Sequence, residues 1–110
     1  MSCKIVETLE AKADVKNFVH YILNKFRNGQ AAKNFIEIYD NEIHQLDVFP
    51  KAYRSIGIKY RGYEIRMKPF DTYNLFFVVD TADETIIILR VLKNLQNWQK
   101  IIRSDDDYHF

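Results

Sequence analysis

Between Tyr63 and Leu92 the order of apolar and polar residues changes character twice. In YEIRMKP, Tyr63, Ile65 and Met67 alternate with Glu64, Arg66 and Lys68, the period of two that predicts a half-buried strand. The next two runs, Tyr73–Val79 and Thr85–Leu92, are almost continuously apolar and rich in Val, Ile and Phe. Such runs predict strands covered on both faces, the inner members of a small antiparallel meander. Pro69 closes the first run, Asp71-Thr72 supplies one turn and Ala82-Asp83-Glu84 the other. A three-stranded meander cannot bury its apolar surface alone, so a cover must come from earlier in the chain.

That cover is legible upstream. KIVET, Lys4–Thr8, reads as a short strand at an edge or beside the meander. Asp14 is placed to cap a helix in which Val15, Phe18, Val19, Ile22, Leu23 and Phe26 share one face. Asn28-Gly29 stops it, with a residue tolerant of positive φ. A second helix runs from about Gln30 to Val48, with Ala32, Phe35, Ile36, Tyr39, Ile43 and Leu46 as its buried stripe. Phe49-Pro50 ends that helix, since proline disfavours helical geometry in the residue before it. The predicted fold is α+β: an N-terminal strand and an antiparallel helix hairpin packed on one face of a small antiparallel sheet. Phe18, Ile22, Phe35 and Tyr39 are expected inside, and Arg66 and Lys68 outside.

Composition sets the outer bounds. A chain of 110 residues, 47% hydrophobic and 15% aromatic, has enough apolar material for one packed domain over residues 1–110, with a tail from about 104 left open. No apolar run reaches the roughly 18 residues of a membrane span. With Cys3 the only cysteine, no internal disulfide can form, and a reducing cytoplasm is the expected setting. Charge is unevenly spread. Within residues 51–68, Lys51, Arg54, Lys59, Arg61, Arg66 and Lys68 face only Glu64; residues 86–103 hold Arg90, Lys93, Lys100 and Arg103 and no acid. Residues 34–50 hold Glu37, Asp40, Glu42 and Asp47 and no base. The basic half is the strand half, which suits nucleic acid or an acidic peptide, or a plain solvated face.

Few residues announce chemistry. His20, His44 and His109 fall on two helices and the tail and show no metal-ligand spacing, and no glycine-rich phosphate loop occurs. No cofactor is implied. Arg90 interrupts an apolar strand, where a charge is costly unless paired or facing a solvated groove. Its expected partner is Asp80 or Glu64 across the sheet; otherwise it is a binding cation. Trp98 reads as a packing anchor for the tail or as a partner contact.

GYEIRMKPFDTYNLFFVVDTADETIIILRVLKNLQNW resembles the C-terminal half of RelE/ParE-type toxins of bacterial type II toxin–antitoxin (plasmid stabilisation) systems. The resemblance lies in the strand YNLFFVVD, the following IILRVL strand and a Trp shortly after. The helix hairpin ending in VFPKAYRSIG extends it over almost the whole chain. It implies a growth-inhibiting toxin neutralised by a cognate antitoxin, with promoter DNA bound only through the complex. Two mechanisms follow from the resemblance. One branch binds and stalls DNA gyrase; the other cleaves mRNA on the ribosome, where cations must stabilise the transition state and a base must deprotonate the 2′-hydroxyl. A third possibility is a non-toxic member that keeps the fold.

The nuclease pattern carries over only in part. Its two basic positions on the second strand fall on Glu64 and Arg66, with Lys68 two residues on. Arginines of that branch correspond to Asn74 and, near the end of the last strand, Asn94; Lys93 stands where many members carry a histidine. A nuclease would have to work with Arg66, Lys68, Arg90 and Tyr73. Arg66, Lys68, Arg90, Lys93 and Trp98 are also the candidates for contact with target or antitoxin. The departures at Glu64, Asn74 and Asn94 favour the gyrase-binding branch.

Overall fold

The computed structural model describes residues 3–103 and 107–110. Five strands form one sheet in the order β1-β5-β4-β3-β2. They are β1 (Lys4–Glu7), β2 (Ser55–Tyr60), β3 (Tyr63–Phe70), β4 (Tyr73–Asp80) and β5 (Thr85–Lys93). Helices α1 (Leu9–Phe26) and α2 (Gly29–Gln45) form the hairpin, a 3-10 turn spans Pro50–Ala52, and α3 is one short turn, Trp98–Ile101. The expected α+β architecture and the β3-β4-β5 meander are both present. The β1–β5 pair is parallel, the others antiparallel. No helix among the described residues is long and apolar enough to cross a membrane.

Both faces of the sheet are buried, which accounts for the continuous apolarity of β4 and β5. Under the hairpin, Leu75, Phe77, Ile86, Ile88 and Val91 pack with Phe35, Tyr39, Ile43 and Leu46. On the far side, Ile65, Phe76, Val78, Leu89 and Leu92 pack with Tyr60, Trp98, Ile102 and Tyr108. Fully burying each such Phe, Ile or Leu contributes about 1.5–3 kcal/mol. A bulge makes this two-sided packing continuous. Phe76 pairs with Arg90 but Phe77 with Ile88, so Leu89 is the extra residue and the alternation of faces shifts by one beyond it.

Several expectations are corrected. Asp14 is not a cap: α1 starts five residues earlier, and Thr8 accepts from the Ala11 N–H at its N-terminus. The left-handed residue after α1 is Arg27 (φ 48°), while Asn28 caps α2 by accepting from the Gln30 and Ala31 N–H groups. α2 ends at Gln45 rather than Val48, and Pro50 opens the 3-10 turn instead of ending a helix. Pro69 does not close β3, which runs one residue further to Phe70. Ile36, Leu23 and Phe26 were placed on buried stripes but are exposed. Phe35 and Tyr39 are buried as expected, whereas Phe18 and Ile22 are only half-buried because α1 lies toward the edge of the sheet.

β2 was not foreseen. Gly57, with φ 81°, sits at an irregularity between Ser55 and Lys59 and interrupts the ladder. Ile56, Ile58 and Tyr60 nevertheless alternate and join the far-side core. Arg61 and Gly62, both at positive φ, make the two-residue turn into β3.

Two polar devices close the structure at its ends. β1 stops at Glu7, leaving the β5 edge beyond Ile88 without a strand partner. Thr8, fully buried, donates its hydroxyl to the Ile88 and Leu89 carbonyls at 2.9 and 3.0 Å while capping α1. At the other end of the chain, Glu10 accepts from the backbone N–H of His109 (2.9 Å) and meets its ring Nδ1 (2.7 Å), holding Tyr108 against Tyr60. Of the tail left open from about residue 104, residues 104–106 lie outside the described residues.

Replacing Thr8 by Val removes the cap and the hydroxyl donor of the Leu89 carbonyl, while the Ile88 carbonyl keeps the backbone N–H of residue 8, a loss of about 2–3 kcal/mol. A urea unfolding series should show that loss for Thr8→Val and little change for Thr8→Ser; equal midpoints for all three proteins would refute the assignment.

The tail latch is pH-dependent. Hydrogen bonds from the His109 backbone and ring hold the Glu10 carboxyl below its ordinary 4.5. The bond to Glu10, its charge and that of Asp107 raise the His109 imidazole above 6.5. Glu10 therefore contributes above its ordinary range and is lost as pH falls through its lowered pKa; His109 contributes below 6.5 and is lost as pH rises through its raised one. The latch is strongest between about pH 4.5 and 6.5. An NMR titration of the His109 ring should give a pKa above 6.5 that drops in Glu10→Gln. No difference between the two proteins would argue against the contact.

Candidate functional site

Strand register decides which candidate residues can meet. Residues directly opposite in an antiparallel pair share a face. Lys68 pairs with Leu75 and Arg66 with Phe77, so both cations lie on the hairpin side. Asn74 is opposite Pro69 and Leu92, on the far side with Phe76. Arg90, opposite Phe76, belongs by register to the far side as well. The register therefore separates Asn74 from Arg66 and Lys68, while the Arg90 guanidinium turns at the β5 edge to Asp14 of α1.

Each central cation also has a protein partner. Lys68 was expected to be exposed but is only 5% accessible. Its ammonium is ion-paired with Glu42 of α2, donates to the Glu42 carbonyl (3.2 Å) and to Gln45 Oε1 (3.3 Å), and lies over the Tyr53 ring. The alternation along β3 separates two buried faces rather than an inner and an outer one. Arg66, likewise expected outside, is partly buried and donates to the carbonyls of Tyr53 (2.8 Å) and Lys51 (3.3 Å), with Glu64 at 3.6 Å. These bonds fasten the segment between α2 and β2 to the sheet.

Arg90 is paired, though with neither expected acid. Its Nε and Nη2 donate to the two carboxylate oxygens of Asp14 at 2.7 and 2.8 Å, and the Val91 N–H donates to the same carboxylate at 2.9 Å. That fork-on-fork geometry holds the guanidinium in its charged form, the hydrogen bond outweighing the opposing effect of burial. Asp80 instead accepts from the Tyr63 hydroxyl (2.9 Å) and the Asp83 N–H (3.1 Å), which keep its carboxyl below the usual range. The role of Asp14 was missed because nothing local marks a mid-helix aspartate as a partner for residue 90.

The remaining candidates separate further. Tyr73 is buried among Phe18, Phe35 and Phe70, with ring centroids 4.9–5.5 Å away. Burial raises its phenol pKa, which removes it as a base near neutrality. Trp98 packs on Phe76 at 5.9 Å, the anchoring role expected for it. Asn74 Nδ2 donates to Asn94 Oδ1 at 3.0 Å, so the two amides at the nuclease branch's arginine positions hold one another. Lys93 differs from the other cations. It lies at the end of β5 on the hairpin side, near the rings of Tyr21 (5.5 Å) and Tyr73 (5.8 Å).

Residues 5–98 match the sequence profile of the ParE toxin of type II toxin–antitoxin systems, parDE. The chain belongs to the ParE toxin family. Among solved structures it is similar to a chain of the chromosomal ParDE toxin–antitoxin system from P. aeruginosa, at 15% identity and a TM-score of 0.67, covering 84% of this chain and 96% of that one. It is also similar to a chain of the RelBE2 toxin–antitoxin complex from Mycobacterium tuberculosis, at 15% identity and a TM-score of 0.53, covering 84% and 99%. Both likenesses concern the fold. Among curated proteins, none matches. This ParE-family chain is thus a type II toxin–antitoxin toxin, and Ile102 and Tyr108, which help cover its far sheet face, lie beyond the matched span.

Cutting Asp14 back to Ala strands a half-buried guanidinium and a strand N–H together, a destabilisation of about 2–3 kcal/mol. Chemical denaturation of Asp14→Ala should show it, and Arg90→Met in the same chain should restore part of the loss. Full stability in the single variant would contradict the pairing.

Proposed function

We propose that this ParE-family toxin acts by binding its target, DNA gyrase, and not by cutting mRNA, and that a cognate antitoxin neutralises it by covering its surface. The observation that carries the reading is the engagement of Arg66, Lys68 and Arg90 with protein groups. Cleavage requires donors that hold the transition state more strongly than the ground state, beside a base able to take the 2′-hydroxyl proton. Here the cations are held by carboxylates and carbonyls, and Tyr73 is a buried phenol with a raised pKa. Stalling an enzyme by occupancy needs only a stable, complementary surface. The P. aeruginosa ParDE neighbour supports an antitoxin partner for this chain, and cytoplasmic action fits both partners.

Two assays run side by side test the proposal: primer extension on mRNA from cells producing the protein, and supercoiling by purified gyrase. The expected result is inhibited supercoiling with no new mRNA ends. Codon-boundary cuts that disappear in Arg66→Ala, with supercoiling untouched, would move the protein to the ribosome-dependent nuclease branch. Normal growth and an unaffected gyrase would mark a member that keeps the fold without toxicity.

A further inference from the structure

The outer end of α1 carries a cluster that the proposed mechanism leaves unused. Tyr21 and Lys25 are one helical turn apart, so both side chains project from the same flank. The Lys25 ammonium donates to the Tyr21 hydroxyl at 2.8 Å and lies 5.3 Å from its ring centroid. Lys93 arrives from β5 and lies 5.5 Å from the same centroid. Phe26 meets Tyr21 edge-on at 6.3 Å. Beside them an open cleft of about 340 Å³ is lined by Asn17, Phe18, Tyr21 and Lys93.

This cluster contrasts with the cations in the middle of the sheet. Lys68 and Arg90 are matched to Glu42 and Asp14, and Arg66 lies beside Glu64. Among the described residues, neither Lys25 nor Lys93 has a carboxylate at ion-pair distance. Tyr21 and Phe26 remain 45% and 61% exposed. Two unneutralised cations around a half-exposed aromatic, next to an apolar cleft, are complementary to anions attached to something apolar.

We propose that Lys25 and Lys93, with Tyr21 between them and the Phe18 cleft alongside, form the docking point for an acidic protein segment. Carboxylates of that segment lie on the two ammonium groups, and an aliphatic side chain between them enters the cleft. Nucleic acid fits less well. A stacked base needs a free ring face, whereas the Tyr21 ring has two ammonium groups within 5.5 Å and Phe26 against it. A phosphodiester backbone also offers no apolar side chain for the cleft. The identity of the segment as part of the antitoxin rests on the functional reading above; its chemistry does not.

The test uses the full chain, ¹⁵N-labelled, and a blocked pentapeptide, Glu-Glu-Leu-Glu-Glu, as probe. Its addition at low salt should shift the amide resonances of Tyr21, Lys25 and Lys93. Lys25→Glu/Lys93→Glu should weaken binding at least about tenfold, with Lys25→Gln/Lys93→Gln intermediate and both spectra otherwise native. Shifts confined to other surfaces, binding unchanged in the double variants, or tighter binding of oligothymidylate at this site would each overturn the proposal. A second arm measures association with the product of the adjacent open reading frame. A complex whose association rate is the same for the wild type and Lys25→Glu/Lys93→Glu overturns the inference while leaving the antitoxin reading intact. Peptide binding at the site with no complex formed supports the inference and counts against that reading.

Discussion

The most consequential constraint is the incomplete edge of β5. β1 is four residues long and β5 nine, so the last half of β5 presents polar backbone groups at a buried margin with no strand to receive them. Unsatisfied, each such group costs about 1–3 kcal/mol. Side chains from the start of α1 take the place of a strand: the Thr8 hydroxyl serves the Ile88 and Leu89 carbonyls, and Asp14 serves the Val91 N–H. This requirement fixes where α1 must cross the sheet, and hence where the hairpin lies. It also places a carboxylate close enough to engage Arg90, whose burial would otherwise be unfavourable.

The consequence for function follows from that geometry. A charge in a strand is free for a ligand only if the fold does not need it, and this fold uses its central charges. Lys68 ties β3 to the last turn of α2, Arg66 ties it to the carbonyls before β2, and Arg90 ties β5 to α1. Releasing any of them to hold a phosphate would leave a buried or half-buried acid or carbonyl behind. Lys25 and Lys93 stabilise no comparable contact, so an incoming anion can take them without such a loss.

Much of this was legible in the chain, and the failures share a cause. The hairpin, the meander and the two-sided burial of β4 and β5 follow from periodicity, because those segments bury whole faces and their patterns are long. β2 was missed although Ile56, Ile58 and Tyr60 alternate, because Gly57 within so short a run reads as a break, and it does interrupt the ladder. On β3 the alternation was visible but its meaning was not: Lys68 is enclosed because α2 supplies Glu42 and Gln45, a fact no local pattern holds. Arg90 was correctly marked as needing a partner, yet Asp14 stands 76 residues away. Local sequence shows that a charge is expensive; only the packing of elements shows what neutralises it. Tyr21 and Lys25 went unnoticed for the opposite reason, since an exposed aromatic on a helix carries no signal until Lys93 is brought beside it.

A sheet with both faces filled restricts how such a protein can recognise anything. The hairpin occupies one face and the tail, through Ile102 and Tyr108, the other, so no partner can lie across the strands without displacing core residues. The surface left open lies at the periphery: the flank of α1, the Val48-Phe49 corner after α2, and the strand ends. Of these, the Val48-Phe49 corner offers exposed apolar surface beside a cavity of about 350 Å³ but mixed charge, with Lys51 facing Asp80 and Glu84 around it. Such a site favours a partner by burial and gives little long-range guidance. The α1 flank has the reverse character, two cations of one sign and a smaller apolar contribution. Electrostatic attraction acts over about 8–10 Å at ordinary ionic strength, whereas burial acts only at contact. A partner that used both would be steered at one end of the hairpin and held at the other, which matches an extended chain wrapping the surface better than a compact domain touching one patch.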